Sequence, residues 1–139
     1  MRIEILDVLD NAEDSRGPDI VFRGPLGQAW ARWRGAVTPS VGDAVDVEID
    51  LPDDIVNWVH AEGPDALLMN APGAPVRITA TVAEDAEDAV VALRVGSDIL
   101  LVEFATAGYP EEQGRPGKLS IGDRIELSVP HVDVYPYSV

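Results

Sequence analysis

The sequence predicts an all-β protein, or a mainly β protein with one short helix. Two patterns support this class, and the cysteine content limits how the fold can be stabilised. Short runs of alternating apolar and polar residues are separated by turns rich in Gly, Pro, Asn and Asp. The chain has no cysteine, which excludes disulfides and thiolate metal sites. The pattern of its first half recurs in its second half. With 139 residues, it can form one ordinary domain or two very small ones.

The recurrence is clearest at the last strand of each half. Gly42–Ile49 reappears as Gly122–Val129, with apolar residues at alternate positions in both runs. The first strands also correspond, because Arg2–Ile5 resembles Arg77–Ala80. We interpret these matches as internal duplication. The expected equivalent core positions are Val45, Val47 and Ile49 in the first copy and Ile125, Leu127 and Val129 in the second.

Each copy contains two more predicted strands, joined by a tight turn. These are Asp19–Arg23 and Gln28–Trp33 in the first copy, and Ala89–Val95 and Asp98–Phe104 in the second. The run Ile99–Val102 is apolar without interruption. Such a run is typical of a strand that is covered on both faces, and we expect the same here.

The segment between the copies breaks the pattern. Its acidic start and its Gly63-Pro64 end predict a short helix, whereas its β-branched residues favour an extended chain. We therefore divide the chain into a first β unit at residues 1–52, a connector at 53–75 and a second β unit at 76–139.

Two architectures fit this organisation. Each copy could close into its own small OB-like or SH3-like barrel, giving two barrels in tandem. Alternatively, the copies could interleave into one pseudo-symmetric barrel. Four strands are few for a barrel, so a fifth is expected from Ala66–Asn70 or from Val132–Tyr137. The second of these segments is predicted to be a final edge strand, because Pro136 would block further pairing.

The charge is strongly negative, at −15, from 25 acidic residues against 10 basic ones. This charge disfavours anionic membranes and duplex DNA as partners and favours basic proteins. An acidic composition shared across the source organism would explain it equally well. The apolar runs are too short to span a bilayer, and the start of the chain has no signal-peptide pattern. We expect a soluble, cytoplasmic protein.

One stretch is locally positive and aromatic. Trp30, Arg32, Trp33 and Arg34 lie close together, and this combination suits stacking on single-stranded nucleic acid or on an oligosaccharide. However, tryptophans three residues apart in a strand lie on opposite faces, so at least one should face the core. The arginines could also simply pair with the surrounding carboxylates. We favour this structural explanation.

No motif for catalysis or cofactor binding is present. The acidic clusters Asp10–Asp14, Asp50–Asp54 and Glu84–Asp88 lack the spacing of a calcium loop. His60 and His131 each precede an acid by two residues, which is weak support for zinc. No serine lies in a nucleophile elbow, and no glycine-rich loop has phosphate-binding spacing. We therefore expect no enzyme, no cofactor and no metal site.

The second copy carries a longer loop before its last strand. Fourteen positions separate Gly108 from Gly122, whereas seven separate the corresponding glycines of the first copy. Tyr109, Arg115 and Lys118 make this loop a candidate binding element. The leading hypothesis is a non-enzymatic acidic protein that binds another protein, as inhibitors and immunity proteins do. Binding of single-stranded nucleic acid or an oligosaccharide is the alternative.

Overall fold

The computed structural model describes residues 1–9, 17–55, 58–85, 90–104 and 119–137. These residues form eleven β-strands and no helix, which confirms the all-β class. No described segment is therefore an apolar helix long enough to cross a membrane. The strands are β1 (Arg2–Leu9), β2 (Asp19–Gly24), β3 (Gly27–Trp33), β4 (Ala44–Asp50), β5 (Trp58–His60), β6 (Ala66–Met69), β7 (Val76–Asp85), β8 (Val90–Val95), β9 (Asp98–Glu103), β10 (Arg124–Val129) and β11 (Asp133–Pro136).

Five strands form a closed barrel in the order β1-β2-β3-β11-β4, with β4 returning to β1. The fifth strand, β11, comes from the far end of the chain. It runs parallel to β3, where Val134 pairs with Trp33, and antiparallel to β4, where Val134 pairs with Ile49. Alternation along the strands fills the barrel with apolar side chains that include Ile3, Ile5, Ala29, Ala31, Val47 and Val134.

The remaining strands form a second sheet in the order β5-β10-β7-β8-β9, and β6 pairs with the first residues of β7. β5 directly follows barrel strand β4 in sequence, yet it pairs with β10 of the second sheet. Just before β5, Ile55 forms a parallel bridge with Phe104, immediately after β9. The side chains buried in this sheet include Ile78, Ala80, Val82, Leu93, Leu100 and Leu127.

Strands β7 to β10 pair with one another in the same order as β1 to β4. β7 pairs with β8 and β10, and β8 pairs with β9, as β1 pairs with β2 and β4, and β2 with β3. The first strand of each set also has a register irregularity, between Ile5 and Asp7 in β1 and between Val82 and Glu84 in β7.

Five of the six expected core positions in β4 and β10 are buried, and Val45 is half-buried. The sequence alignment of the first strands is shifted, however. Asp46 of β4 pairs with Arg2, whereas its counterpart Glu126 pairs with Thr79. The two ladders therefore make Arg2 equivalent to Thr79, whereas the sequence similarity made it equivalent to Arg77.

Two sequence predictions are wrong here. The described residues of the connector form no helix, because Trp58–His60 is strand β5. Trp58 is buried in the sheet, and β-branched residues such as Val59 favour a strand over a short helix. The C-terminal strand is not an edge strand, because β11 pairs on both sides. Pro136 is tolerated there because it ends β11, beyond the last pair with β3 at Val134.

Candidate functional site

The outward face of β9 is the most exposed apolar strand face among the described residues. Ile99 is 55% exposed and Leu101 is 67% exposed, whereas Leu100 and Val102, on the other face, are buried. The expectation that Ile99–Val102 is covered on both faces is therefore wrong. β9 is the last strand in the order of its sheet. Neighbouring aliphatic side chains exposed on an edge strand indicate an interaction surface.

A groove separates β9 from the barrel strand β4, and we call it the β4–β9 groove. It contains two hollows, of about 140 Å³ and about 260 Å³. The smaller is lined by Glu48, Ile49, Ser97, Asp98, Ile99, Leu100 and Tyr137, and the larger by Asp50, Leu51, Pro52, Asp53, Asp54, Leu101 and Glu103.

Both ends of the groove are bounded by contacts between the two sheets. At one end, the Ile55 amide donates to the Glu103 carbonyl oxygen over 2.7 Å, beside the bridge to Phe104. At the other end, the Met1 ammonium lies 3.4 Å from the Asp98 carboxylate. Between these contacts, β4 and β9 run in the same direction without pairing with each other.

Main-chain groups of both strands point into the groove. The Glu103 carbonyl faces this edge of β9, and the edge faced by successive residues alternates, so the groups of Ile99 and Leu101 face it too. On β4, the Val47 amide donates to Met1 on the corresponding side, so Ile49 also presents its main-chain groups there. The described residues give these groups no backbone partner.

The rims of the groove are acidic. Among the described residues, no lysine or arginine lines either hollow, whereas six carboxylates do: Glu48, Asp50, Asp53, Asp54, Asp98 and Glu103. Asp98 pairs with the Met1 ammonium, and Asp53 lies 3.9 Å from a His131 nitrogen. The other four make no ion pair with a described residue. Within the described ranges, the groove therefore combines aliphatic surface with carboxylates that lack a cationic partner, and such an arrangement attracts cationic groups.

The carboxylates do not converge on one point. In the described part of the chain, no group of three or more His, Asp or Glu side chains is placed to hold a metal ion. A cation site would need six to eight oxygens around one centre for Ca²⁺, or four tightly arranged ligands for Zn²⁺. The arrangement instead suits a ligand that spreads several positive charges along the groove.

The tryptophans of the sequence-predicted stacking site are both buried. Trp33 lies in the barrel, and its Nε1 donates to the Val37 carbonyl oxygen over 2.9 Å. Trp30 lies on the opposite face of β3, and its Nε1 donates to the Ala74 carbonyl oxygen over 2.7 Å. Strand alternation predicts the two faces correctly. It does not reveal that the connector covers Trp30.

The arginines beside these tryptophans are engaged with acids. Arg32 lies 3.5 Å from Asp19, its cross-strand partner, and Arg34 lies 3.2 Å from the buried Asp133. Arg23 in the same stretch lies 2.7 Å from a Glu4 oxygen. These contacts agree with the expectation that the local positive charge pairs with surrounding carboxylates. None of these arginines lines the β4–β9 groove.

The remaining sequence-predicted site residues, Tyr109, Arg115 and Lys118, lie outside the described residues. The groove itself was missed by sequence reasoning. Its signal is the uninterrupted apolar run of β9, which by itself predicts burial on both faces. Glu103 at the end of that run indicates an exposed face, because a charged residue there shares its strand face with Ile99 and Leu101.

Comparison with known proteins identifies no relative, since no family model, no curated protein and no solved structure matches the chain. The geometry and charge of the described residues therefore carry the functional argument.

Proposed function

We propose that this chain is a non-enzymatic binding protein whose β4–β9 groove receives a basic segment of another protein. The observation that carries the proposal is the juxtaposition of the exposed Ile99 and Leu101 with carboxylates that have no described cationic partner. A partner with lysine or arginine side chains satisfies both features. Inhibitors and immunity proteins use acidic surfaces in this way, and the comparison is an analogy between classes of protein.

The expected energetics are those of a modest, salt-sensitive interaction. Covering two aliphatic side chains that are more than half exposed contributes about 1 kcal/mol each. Each ion pair at an exposed rim contributes roughly 0.2–1 kcal/mol, and salt weakens it. Several such pairs are needed for stable binding, and the spread of carboxylates along both rims provides them.

We also infer that the two sheets are copies of one OB-like unit. The turn before the fourth strand supports this. The Gly42 amide donates to Ile5 and the Gly122 amide donates to Val82, both over 2.8 Å, and both glycines have φ of 93°. Each turn is also capped by an aspartate three residues after a serine. The Ser40 amide donates to the Asp43 carboxylate over 2.9 Å, and the Ser120 amide donates to the Asp123 carboxylate over 2.8 Å.

On this interpretation, the two units exchange their fifth strands. β11 follows β10 in sequence but completes the barrel between β3 and β4. The segment from Ile55 through β5 follows β4 but lies between the end of β9 and β10. The exchange is relevant to function because the chain that leaves β4 crosses to Phe104. This crossing holds β4 alongside β9 and so forms the groove.

The alternative function, stacking on single-stranded nucleic acid or on an oligosaccharide, has no comparable support. It relies on Trp30 and Trp33 as exposed platforms, and both rings are at most 5% exposed. No feature of the described residues favours it over the groove.

The proposal is tested with a fluorescently labelled, blocked peptide that alternates lysine and valine. Anisotropy titrations compare the wild type with a groove variant, Glu48→Gln with Glu103→Gln, and with a control variant, Glu62→Gln with Glu84→Gln. All four glutamates are outside ion pairs with described residues, and the control pair lines neither hollow. We expect the groove variant to lose about tenfold in affinity and the control less than about twofold. Equal losses would mean attraction to the overall charge, and the proposal would be wrong.

A further inference from the structure

We propose that the partner segment binds in the β4–β9 groove as a β-strand added to the edge of β9 that carries the main-chain groups of Ile99 and Leu101. This inference rests on the proposed function and specifies how the same groove is filled. It also specifies the chemistry of the occupant, an extended segment in which lysine or arginine alternates with small apolar residues.

β6 provides the template. It pairs with the first residues of β7, and it also contacts the barrel, because the Leu67 amide donates to the Leu26 carbonyl oxygen over 3.1 Å. Leu67 is buried, and a Cβ added to Gly27 would come within 2.5 Å of Leu68. β6 therefore fills a strand-wide space between the first strand of one unit and the third strand of the other.

The repeat predicts a corresponding edge in the other unit. It relates β3 to β9, so the edge of β9 that faces the groove corresponds to the edge of β3 that β6 contacts at Leu26. The ladders match Leu26 to Ser97, since Gly24 pairs with Gly27 and Val95 with Asp98 across the two hairpin turns. Ser97 and Asp98 line the smaller hollow of the groove. No strand formed by the described residues pairs along this edge of β9.

Main-chain groups on both sides of the β4–β9 groove are available for hydrogen bonding. The amide and carbonyl groups of Ile99 and Leu101 face it from β9, and those of Ile49 face it from β4. Addition of an extended peptide to such an edge obtains affinity from main-chain hydrogen bonds and specificity from alternate side chains. A strand added here removes the exposed edge of β9.

The side chains of the groove set the sequence pattern of the occupant. Ile99, Leu101 and Glu103 share the outward face of β9, and the exposed Glu48 and Asp50 occupy the outward face of β4. Outward side chains of the added strand would cross aliphatic surface and end at carboxylates, which suits the long stems of lysine and arginine. Its inward side chains would face the floor of the groove, where small apolar residues fit.

Charge decides between a foreign segment and a second copy of this chain. The protein carries −15, and no lysine or arginine among the described residues lines the groove. A second copy would bring further negative charge to a surface on which four of the six carboxylates have no ion pair with a described residue, which opposes association. A basic segment of another protein is therefore the occupant that the groove fits.

The test uses three blocked peptides of identical charge and side chains on the full-length protein. The parent alternates lysine and valine, a second carries N-methyl groups on every valine amide, and a third carries them on every lysine amide. N-methylation of alternate residues blocks hydrogen bonding along one edge of a strand and leaves the side chains in place. Strand addition predicts that at least one methylated peptide binds about tenfold more weakly than the parent, corresponding to the loss of one or two hydrogen bonds.

Three results would contradict the inference, and they are distinguishable. If both methylated peptides bind within about twofold of the parent, the partner does not add a strand, although the proposed function survives. If the parent itself fails to bind, the proposed function is wrong and the strand inference falls with it. If sedimentation shows a dimer that the parent peptide dissociates, the groove belongs to a second copy of the chain.

Discussion

Ile55 forms a parallel bridge with Phe104, so the chain that leaves barrel strand β4 continues into the second sheet. In the barrel, Val134 occupies the corresponding position beside Trp33, although it follows the last strand of the second sheet. The barrel is therefore completed by β11, which follows the second sheet in sequence. The second sheet is completed by Ile55 and β5, which follow barrel strand β4. This exchange ties the two halves together and sets the course of the β4–β9 groove.

The first prediction concerns the dependence of each half on the other. A protease site inserted between Ala71 and Pro72 lies in an exposed turn between β6 and β7. After cleavage, we expect the two fragments to co-elute in gel filtration and to keep the strand signal in circular dichroism, because each supplies a strand to the other. Either fragment alone should be unfolded. Two separately folded fragments that elute apart would contradict the exchange.

The second prediction tests the equivalence of the two units. Gly42 and Gly122 both have φ of 93°, and a Cβ added at either would meet no atom within 4 Å. Replacement by alanine should therefore cost only backbone strain, about 1–2 kcal/mol of unfolding free energy at each site. Urea denaturation measures both variants. Costs that differ by more than about 1 kcal/mol would show that the two turns are not equivalent.

Much of the fold could be read from the sequence because its strands obey strong local rules. The turn residues at Gly42 and Gly122 and the alternation after them identified β4 and β10 and most of their buried positions. The sequence did not reveal which strands closed the barrel, because the addition of β11 between β3 and β4 depends on contacts between residues about one hundred positions apart. Single-sequence patterns contain no information about such pairings.

The candidate site was harder to predict for a related reason. An uninterrupted apolar strand suggests burial on both faces, but whether both faces are covered depends on elements elsewhere in the chain. Trp30 is covered by the connector at Ala74, whereas the outward face of Leu101 is left exposed by the described residues. The local sequence does not distinguish a strand face that is covered from one that is exposed. The acidic rims were visible in composition, but only the fold brings Asp50 and Glu103 to one groove.

The third prediction separates a buried ion pair from an exposed one. Asp133 is 1% exposed and lies 3.2 Å from Arg34, whereas Asp46 makes a contact of the same length with Arg2 at the surface. Asp133→Ala should lower the unfolding free energy by about 2–3 kcal/mol, less than for a fully buried pair because Arg34 reaches solvent. Asp46→Ala should cost less than about 1 kcal/mol. Similar costs for both, by urea denaturation, would contradict the assignment.

The fourth prediction tests the aliphatic component of the groove. Leu101 and Ile121 are 67% and 68% exposed, but Ile121 lines neither hollow of the β4–β9 groove, whereas Leu101 lines the larger one. Threonine at either position should change stability by less than about 0.5 kcal/mol, because surface substitutions of this kind are mild and threonine suits a strand. Leu101→Thr should weaken binding of the lysine–valine peptide by about fivefold, the loss of roughly 1 kcal/mol of apolar contact.

Ile121→Thr is the matched control and should leave the affinity of that peptide unchanged. Anisotropy titration measures both variants under the same buffer and salt. If both substitutions weaken binding equally, or if neither does, then the aliphatic face of β9 takes no part in recognition.

The most direct test is amide hydrogen exchange, followed residue by residue with and without saturating lysine–valine peptide. The amides of Ile99 and Leu101 point into the groove, whereas those of Leu100 and Val102 point toward β8 and serve as internal controls. We expect fast exchange at Ile99 and Leu101 in the unbound protein, and slowing of at least about tenfold when the peptide is bound, with little change at the two controls. Bound peptide with new protection confined to strands outside the groove would contradict the assignment of the β4–β9 groove as the binding site. Unchanged exchange at Ile99 and Leu101 would contradict the addition of a strand to β9.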